Sequence, residues 1–142
     1  MVFQLCTQTG REVYPVHRLD REAAGVMVYA NTARMAAFLS RQIQDSRLHK
    51  EYLAVLTGIP EKRENTLTDL LFHDQRNNKT YVVDRRRKGV RDSQLQYRVL
   101  DTRDGLALVQ IWLLTGRTHQ IRAQFASRGL PLLGDRRYGG GP

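Results

Sequence analysis

The sequence is poor in the residues that build cross-linked, metal-bound or membrane-spanning proteins. Its 142 residues include one cysteine, Cys6, which excludes an internal disulfide. One cysteine and four scattered histidines give no metal-ligand spacing, so no structural metal is expected. No apolar run approaches the ~18 residues of a membrane span, and the N-terminus lacks the charged-then-apolar layout of a signal peptide. A soluble, cytoplasmic protein with no membrane partner is therefore expected. Acidic residues are also scarce, 14 Asp and Glu against 23 Lys and Arg, for a net charge of +9. That excess suits a polyanion, most often nucleic acid, because Lys and Arg neutralise phosphates and release counterions. With 41% apolar and 26% charged residues the chain is neither disordered nor membrane-embedded. Its length fits one domain over residues 1–142.

Periodicity places the elements. Val26 to Ala30 is a short apolar run that reads as a buried strand, after which Asn31 or Thr32 can cap a helix from Ala33 to Asp45. There Met35, Phe38, Leu39 and Ile43 recur at spacings of three and four, which predicts one core-facing side. Lys50 to Leu56 reads as a strand ended by Gly58 and Pro60, and Asn77-Asn78 before Thr80–Val83 suggests a hairpin. The stretch from Pro60 to Asp92 is more polar and more basic than its flanks. Its densest run, Arg85, Arg86, Arg87, Lys88 and Arg91, fits a solvated loop or an RNA contact equally well. Ser93–Leu100 and Leu106–Leu114 read as strands joined by the turn Asp101–Gly105, the second with both faces at least partly covered. Thr118 can then cap a helix with Ile121 and Phe125 on its buried side and Gly129 as its stop. The sum is an α+β fold, a mixed, mainly antiparallel β-sheet with flanking helices.

Three stretches have unusual chemistry. In Val16-His17-Arg18-Leu19-Asp20-Arg21, an aspartate stands between two arginines. Guanidinium groups nearby favour the ionised carboxylate that a nucleophile or general base requires, and a surface salt bridge has the same appearance. In Leu114-Thr115-Gly116-Arg117-Thr118-His119-Gln120-Ile121-Arg122, Gly116 permits a close backbone approach where a helix begins, and the helix terminus favours an anion. Arg122 comes off that helix and needs a partner if buried, for which Asp20 is one candidate. In Lys50-Glu51-Tyr52-Leu53-Ala54-Val55, Tyr52 suits either a core position or a platform for stacking a base.

Together and in this order, these stretches resemble the RluA-type RNA pseudouridine synthases. His17-Arg18-Leu19-Asp20 followed by Gly25 resembles that family's H-R-L-D-x-x-T-S-G motif, and Lys50 to Val55 its K-x-Y-L-A-x element. Leu114 to Arg122 resembles L-x-T-G-R-x-H-Q-I-R, and Gly134-Asp135-Arg136-Arg137-Tyr138-Gly139 resembles G-D-x-x-Y-G. The resemblance implies an isomerase that detaches uracil from ribose C1′, turns it and rejoins it through C5, with no cofactor and no metal. It implies Asp20 as the essential aspartate, acting as nucleophile or as base, and Arg122 as the residue paired with it. It implies Tyr52 as the residue that stacks on the target base, and Arg18 as the side chain that fills the space left by the flipped nucleotide. Arg117 and His119 would bind phosphate or support the loop.

The sequence departs from the family pattern at Ala23 and Ala24, where Thr and Ser are usual, and at Gln124, where His is usual. The family's V-N-K-P-x-G strand before the H-R-L-D motif and its later L-H-A element are missing. The expectation is a single catalytic domain trimmed at both ends, with no separate RNA-binding domain. The leading functional reading is a monomeric synthase acting on ribosomal or transfer RNA. The alternative is a non-catalytic RNA-binding module or an inactive fragment of such a synthase. DNA binding has little support, since no helix-turn-helix or zinc pattern is present.

Overall fold

The computed structural model describes residues 1–45 and 47–141. The chain forms two compact units, one over Met1–His49 and one that begins at Lys50.

The first unit opens with helix α1 (Val2–Thr9), which ends at Gly10 in the left-handed conformation, φ 64°. Strands β1 (Tyr14–Pro15) and β2 (Tyr29–Ala30) pair antiparallel, and helix α2 (Ala33–Gln44) packs on them. Thr32 caps α2 as expected, its hydroxyl accepting the Met35 N–H at 3.1 Å. Two expectations fail. Only Tyr29 and Ala30 of the run 26–30 are strand, and Val26 is 88% exposed. The Val28 N–H is taken by His17 Nε2 at 2.9 Å, which leaves it unavailable to a ladder. On α2, Met35 and Phe38 are exposed and Leu39 and Ile43 half-buried. A sheet of two two-residue strands is too small to cover the whole stripe.

The second unit is an antiparallel five-stranded sheet in the order β3-β7-β6-β4-β5, with one short helix. Its strands are β3 (Lys50–Leu56), β4 (Glu64–Asp74), β5 (Lys79–Val83), β6 (Val90–Arg103) and β7 (Leu106–Leu113), followed by α3 (Gln120–Ala126). Strand β4 is the element that polar composition concealed. Glu64, Thr66 and Thr68 lie exposed on one face while Leu67 and Leu71 are buried on the other. The Asn77-Asn78 hairpin forms, with Asn78 at φ 46°. Strand β6 runs three residues further than expected, through Arg103. A bulge between Val99 and Asp101 absorbs Leu100, and Asp104 and Gly105, at φ 51° and 77°, make the tight turn into β7.

Alternation along these strands builds the core. Leu67, Leu95, Tyr97, Val99, Ala107, Val109 and Ile111 cluster on one face, and Phe125 of α3 packs on them, its ring 5.4 Å from that of Tyr97. The segment after α3 docks on the sheet through Thr57 N–H to Pro131 O at 2.9 Å and Leu133 N–H to Val55 O at 2.8 Å. Among the described residues no helix is long and apolar enough to cross a membrane. Phe125 is 1% exposed, and Phe125→Ala is expected to lower stability in urea denaturation by about 3–5 kcal/mol.

Candidate active site

Asp20 lies in the first unit, on the loop between β1 and β2, and is half-buried. The loop is held from within. Asp20 O accepts the Ala23 N–H at 3.0 Å, and His17 Nε2 accepts the Val28 N–H at 2.9 Å. Because Nε2 is an acceptor there, the neutral His17 ring carries its proton on Nδ1. Arg18 and Arg21, on either side of Leu19-Asp20, are exposed.

In the second unit, strand β7 leads into the loop that precedes α3, and Gln120 ties that loop together. Its Oε1 accepts the Arg117 N–H at 3.0 Å and the Thr115 hydroxyl at 2.8 Å, while its Nε2 donates to Gln94 O at 3.1 Å. The helix does not start on Thr118. The residue before its first turn is His119, in the left-handed conformation at φ 52°, and no side chain caps it. Thr118 instead offers its carbonyl to the Thr80 hydroxyl at 2.8 Å.

Arg122 rises from α3 and grips Asp135 with two hydrogen bonds, Nε to Oδ2 at 2.7 Å and Nη2 to Oδ1 at 2.8 Å. The side chains are only 9% and 8% exposed. Burial works to raise the Asp135 carboxyl, but the Arg122 hydrogen bonds and charge overcome it and hold the group below the usual carboxylate range. The guanidinium also stacks over Tyr138, 5.0 Å from the ring centre. The Tyr138 hydroxyl accepts the Thr80 N–H at 2.7 Å and lies 3.0 Å from His119 Nδ1. Burial pushes the Tyr138 hydroxyl up, so it stays protonated. Thr80 gives its own hydroxyl proton to Thr118, so His73 Nδ1, 3.0 Å from that oxygen, must be the donor in their contact.

Arg122, His119, Asp135 and Tyr138 are thus assembled in one cluster. Asp135 and Tyr138 fall in the Gly134–Gly139 segment, whose G-D-x-x-Y-G pattern was the available signal, although no role for either residue could be read from it. Tyr52 is half-buried on β3 and packs against the core cluster beside Ala54, opposite Ile111. His119 is buried, a position that serves loop support better than phosphate contact. Arg117 is exposed and donates Nε–H to Asp92 O at 2.8 Å. Gln124, at the position where His is usual, is fully buried. Its Nε2 donates to Asp69 Oδ2 at 2.7 Å, and its Oε1 has no hydrogen-bond partner among the described residues.

The basic run lies on the loop between β5 and β6 and the start of β6. Arg86 is committed to Asp92 through two bonds of 2.9 and 2.6 Å, and Arg87 stacks on Phe72 at 4.7 Å. Arg85 lies 3.9 Å from its neighbour Asp84, and both are almost fully exposed. Lys88 and Arg91 are exposed and make no ion pair among the described residues. No group of three or more His, Cys, Asp or Glu side chains that could hold a metal occurs among the described residues.

Residues 6–127 match the model of the RNA pseudouridylate synthase family. The chain belongs to that family. It is 37% identical over 126 residues to a protein of Aquifex aeolicus described as an uncharacterized RNA pseudouridine synthase, covering 87% of this chain and 39% of that one. It is 35% identical over 127 residues to the ribosomal large subunit pseudouridine synthase D of Haemophilus influenzae, covering 89% and 38%. Such names support the RluA type within the family. Among solved structures, human RNA pseudouridylate synthase domain containing 1 superposes with a TM-score of 0.82 at 26% identity, over 96% of this chain and 58% of that one. The chain spans about two fifths of the curated relatives' length.

Removing one partner of a buried ion pair strands the other charge. Asp135→Asn is expected to lower stability by about 3–5 kcal/mol in chemical denaturation. Because the folded-state pKa of Asp135 is depressed, its contribution is present above the unfolded carboxylate value of about 4 and is lost as pH falls through the folded value. The wild type is therefore expected to lose this stability on acidification, and the difference between the two proteins to shrink at low pH.

Proposed function

We propose that this chain is the catalytic portion of an RNA pseudouridine synthase that converts specific uridines in structured RNA, ribosomal or transfer, to pseudouridine. The observation that carries the reading is the coincidence of family membership with Asp20 on its His17-braced loop and Arg122 in a built, buried clamp. The names of the relatives favour ribosomal RNA among the substrates.

In the reaction the N1–C1′ bond of uridine breaks, the uracil turns, C5 bonds to C1′, the C5 proton leaves and N1 takes up a proton, so that the product is an isomer of the substrate. Electrons balance without an oxidant or reductant. Asp20, ionised, starts the sequence either by attacking C1′ or by removing a proton that drives glycosidic cleavage. Arg122 carries a fixed positive charge whose orientation is set by Asp135 and Tyr138. Tyr52 stacks on the base and assists proton removal at C5. Arg18 occupies the gap left in the RNA stack, since an enzyme that works on a base must extrude it. Arg85, Lys88 and Arg91 offer exposed charge to the RNA backbone, and their exposure also supports the second reading, an RNA-binding module without turnover.

Tritium release from RNA labelled at uracil C5 separates the two. The synthase reading expects release by the wild type and none by Asp20→Asn, with RNA binding retained in both. Equal absence of release from two folded, RNA-binding proteins would leave the binding module.

A further inference from the structure

The pairing of β3 with β7 sets Lys50 opposite Leu113, so the first residue of β3 stands beside the loop Leu114-Thr115-Gly116-Arg117. Its ammonium lies directly against Gly116. A Cβ placed on Gly116 would come within 2.5 Å of Lys50 Nζ. Arg117 is near enough that, after burial itself, its charge is what lowers the proton affinity of Lys50. Among the described residues no carboxylate forms an ion pair with either cation, and Asp92, which feels the charge of Arg117, is already paired elsewhere. Glu51 is occupied by Gln110 Nε2 at 2.6 Å, and both carboxylate oxygens of Asp92 are held by Arg86. Among the described residues Lys50 Nζ has no hydrogen-bond or ion-pair partner, and Arg117 uses its Nε and backbone N–H but neither Nη.

Two cations close enough to feel each other's charge, one half-buried against Gly116 and the other pinned at two points, suit an oxyanion. We propose that Lys50 and Arg117, with Gly116 kept bare between them, bind one backbone phosphate of the RNA substrate. This rests on the reading that the chain acts on RNA, and it gives the lysine of the K-x-Y-L-A segment and the glycine of the T-G-R segment a shared task. Gly116 leaves room for the ammonium to lie beside the loop, and Gln120 and Asp92 O hold Arg117 at its other side.

The test is the salt dependence of binding to a fluorescein-labelled transcript of a ribosomal RNA stem-loop, followed by fluorescence anisotropy. Each phosphate contact contributes about 0.7–0.9 to the slope of log affinity against log salt. Lys50→Met is expected to lower the slope by about that amount, and Lys50→Arg to retain it. Gly116→Ala is expected to act like Lys50→Met although it removes no charge, because its methyl displaces the ammonium. It yields against the flexible end of a side chain, so it keeps the fold if Lys50→Met does not, as circular dichroism would report. Wild-type slopes in both Lys50→Met and Gly116→Ala would overturn the phosphate site while leaving tritium release, and so the synthase reading, intact. Lowered slopes in a wild-type background that binds RNA but releases no tritium would sustain the phosphate site and remove the synthase reading.

Discussion

A guanidinium and a carboxylate, each buried to within a tenth of complete, can coexist in this fold only as a finished pair. An ion left alone in such a place costs several kcal/mol, so the chain must deliver Asp135 to Arg122 with both hydrogen bonds in register. The rest of the second unit is arranged around that delivery. Phe125 anchors α3 on the sheet, and Pro131 and Leu133 stitch the following segment to the end of β3. Gly140 closes the turn where any side chain would collide with Leu132 O, which lies 1.7 Å from a hypothetical Cβ. Tyr138 then covers the guanidinium, and its own hydroxyl is fixed by Thr80 on β5, the far edge strand of the sheet. Both edges of the sheet therefore contribute to fixing one arginine.

The loop of Asp20 is held by a different device. It contains no regular structure between residues 16 and 28, and a histidine lone pair takes the place of a strand partner for the Val28 N–H. The backbone around Asp20 is thereby held on a defined course, through the Ala23 N–H and the His17 ring. Side-chain bracing recurs in the second unit, where Gln120 Oε1 holds Thr115 and Arg117 of the loop and its Nε2 ties them to Gln94 O on β6.

Positive charge is unevenly used. Arg86 and Arg87 are engaged by Asp92 and Phe72, and these contacts give shape to the loop after β5. Lys50, Lys88 and Arg91 have no acidic partner among the described residues. The net charge of +9 is thus divided between residues that build the molecule and residues left to meet an anion.

How much of this was legible beforehand differs by element. Strand β3, the cap of α2, the hairpin at Asn78 and the antiparallel character follow from local chemistry, since alternation, a hydroxyl cap and a residue tolerant of positive φ act over a few neighbours. The motifs likewise marked Asp20, Tyr52 and Arg122 as residues of interest. Strand β4 escaped because its outward residues are polar and only its partners β5 and β6 reveal that Leu67 and Leu71 face a core. The start of α3 was misplaced because the Thr118 carbonyl is engaged by Thr80, 38 residues away. The grip of Asp135 on Arg122 and the cover of Tyr138 lie equally beyond sequence reading, as do the approach of Lys50 to Gly116 and their shared access to an anion. By itself the sequence determined the family and the class of fold, because those are written in residue type and short spacing. Only the tertiary structure decided which groups neutralise one another, because the pairing of buried charges depends on distances in space that no local pattern encodes.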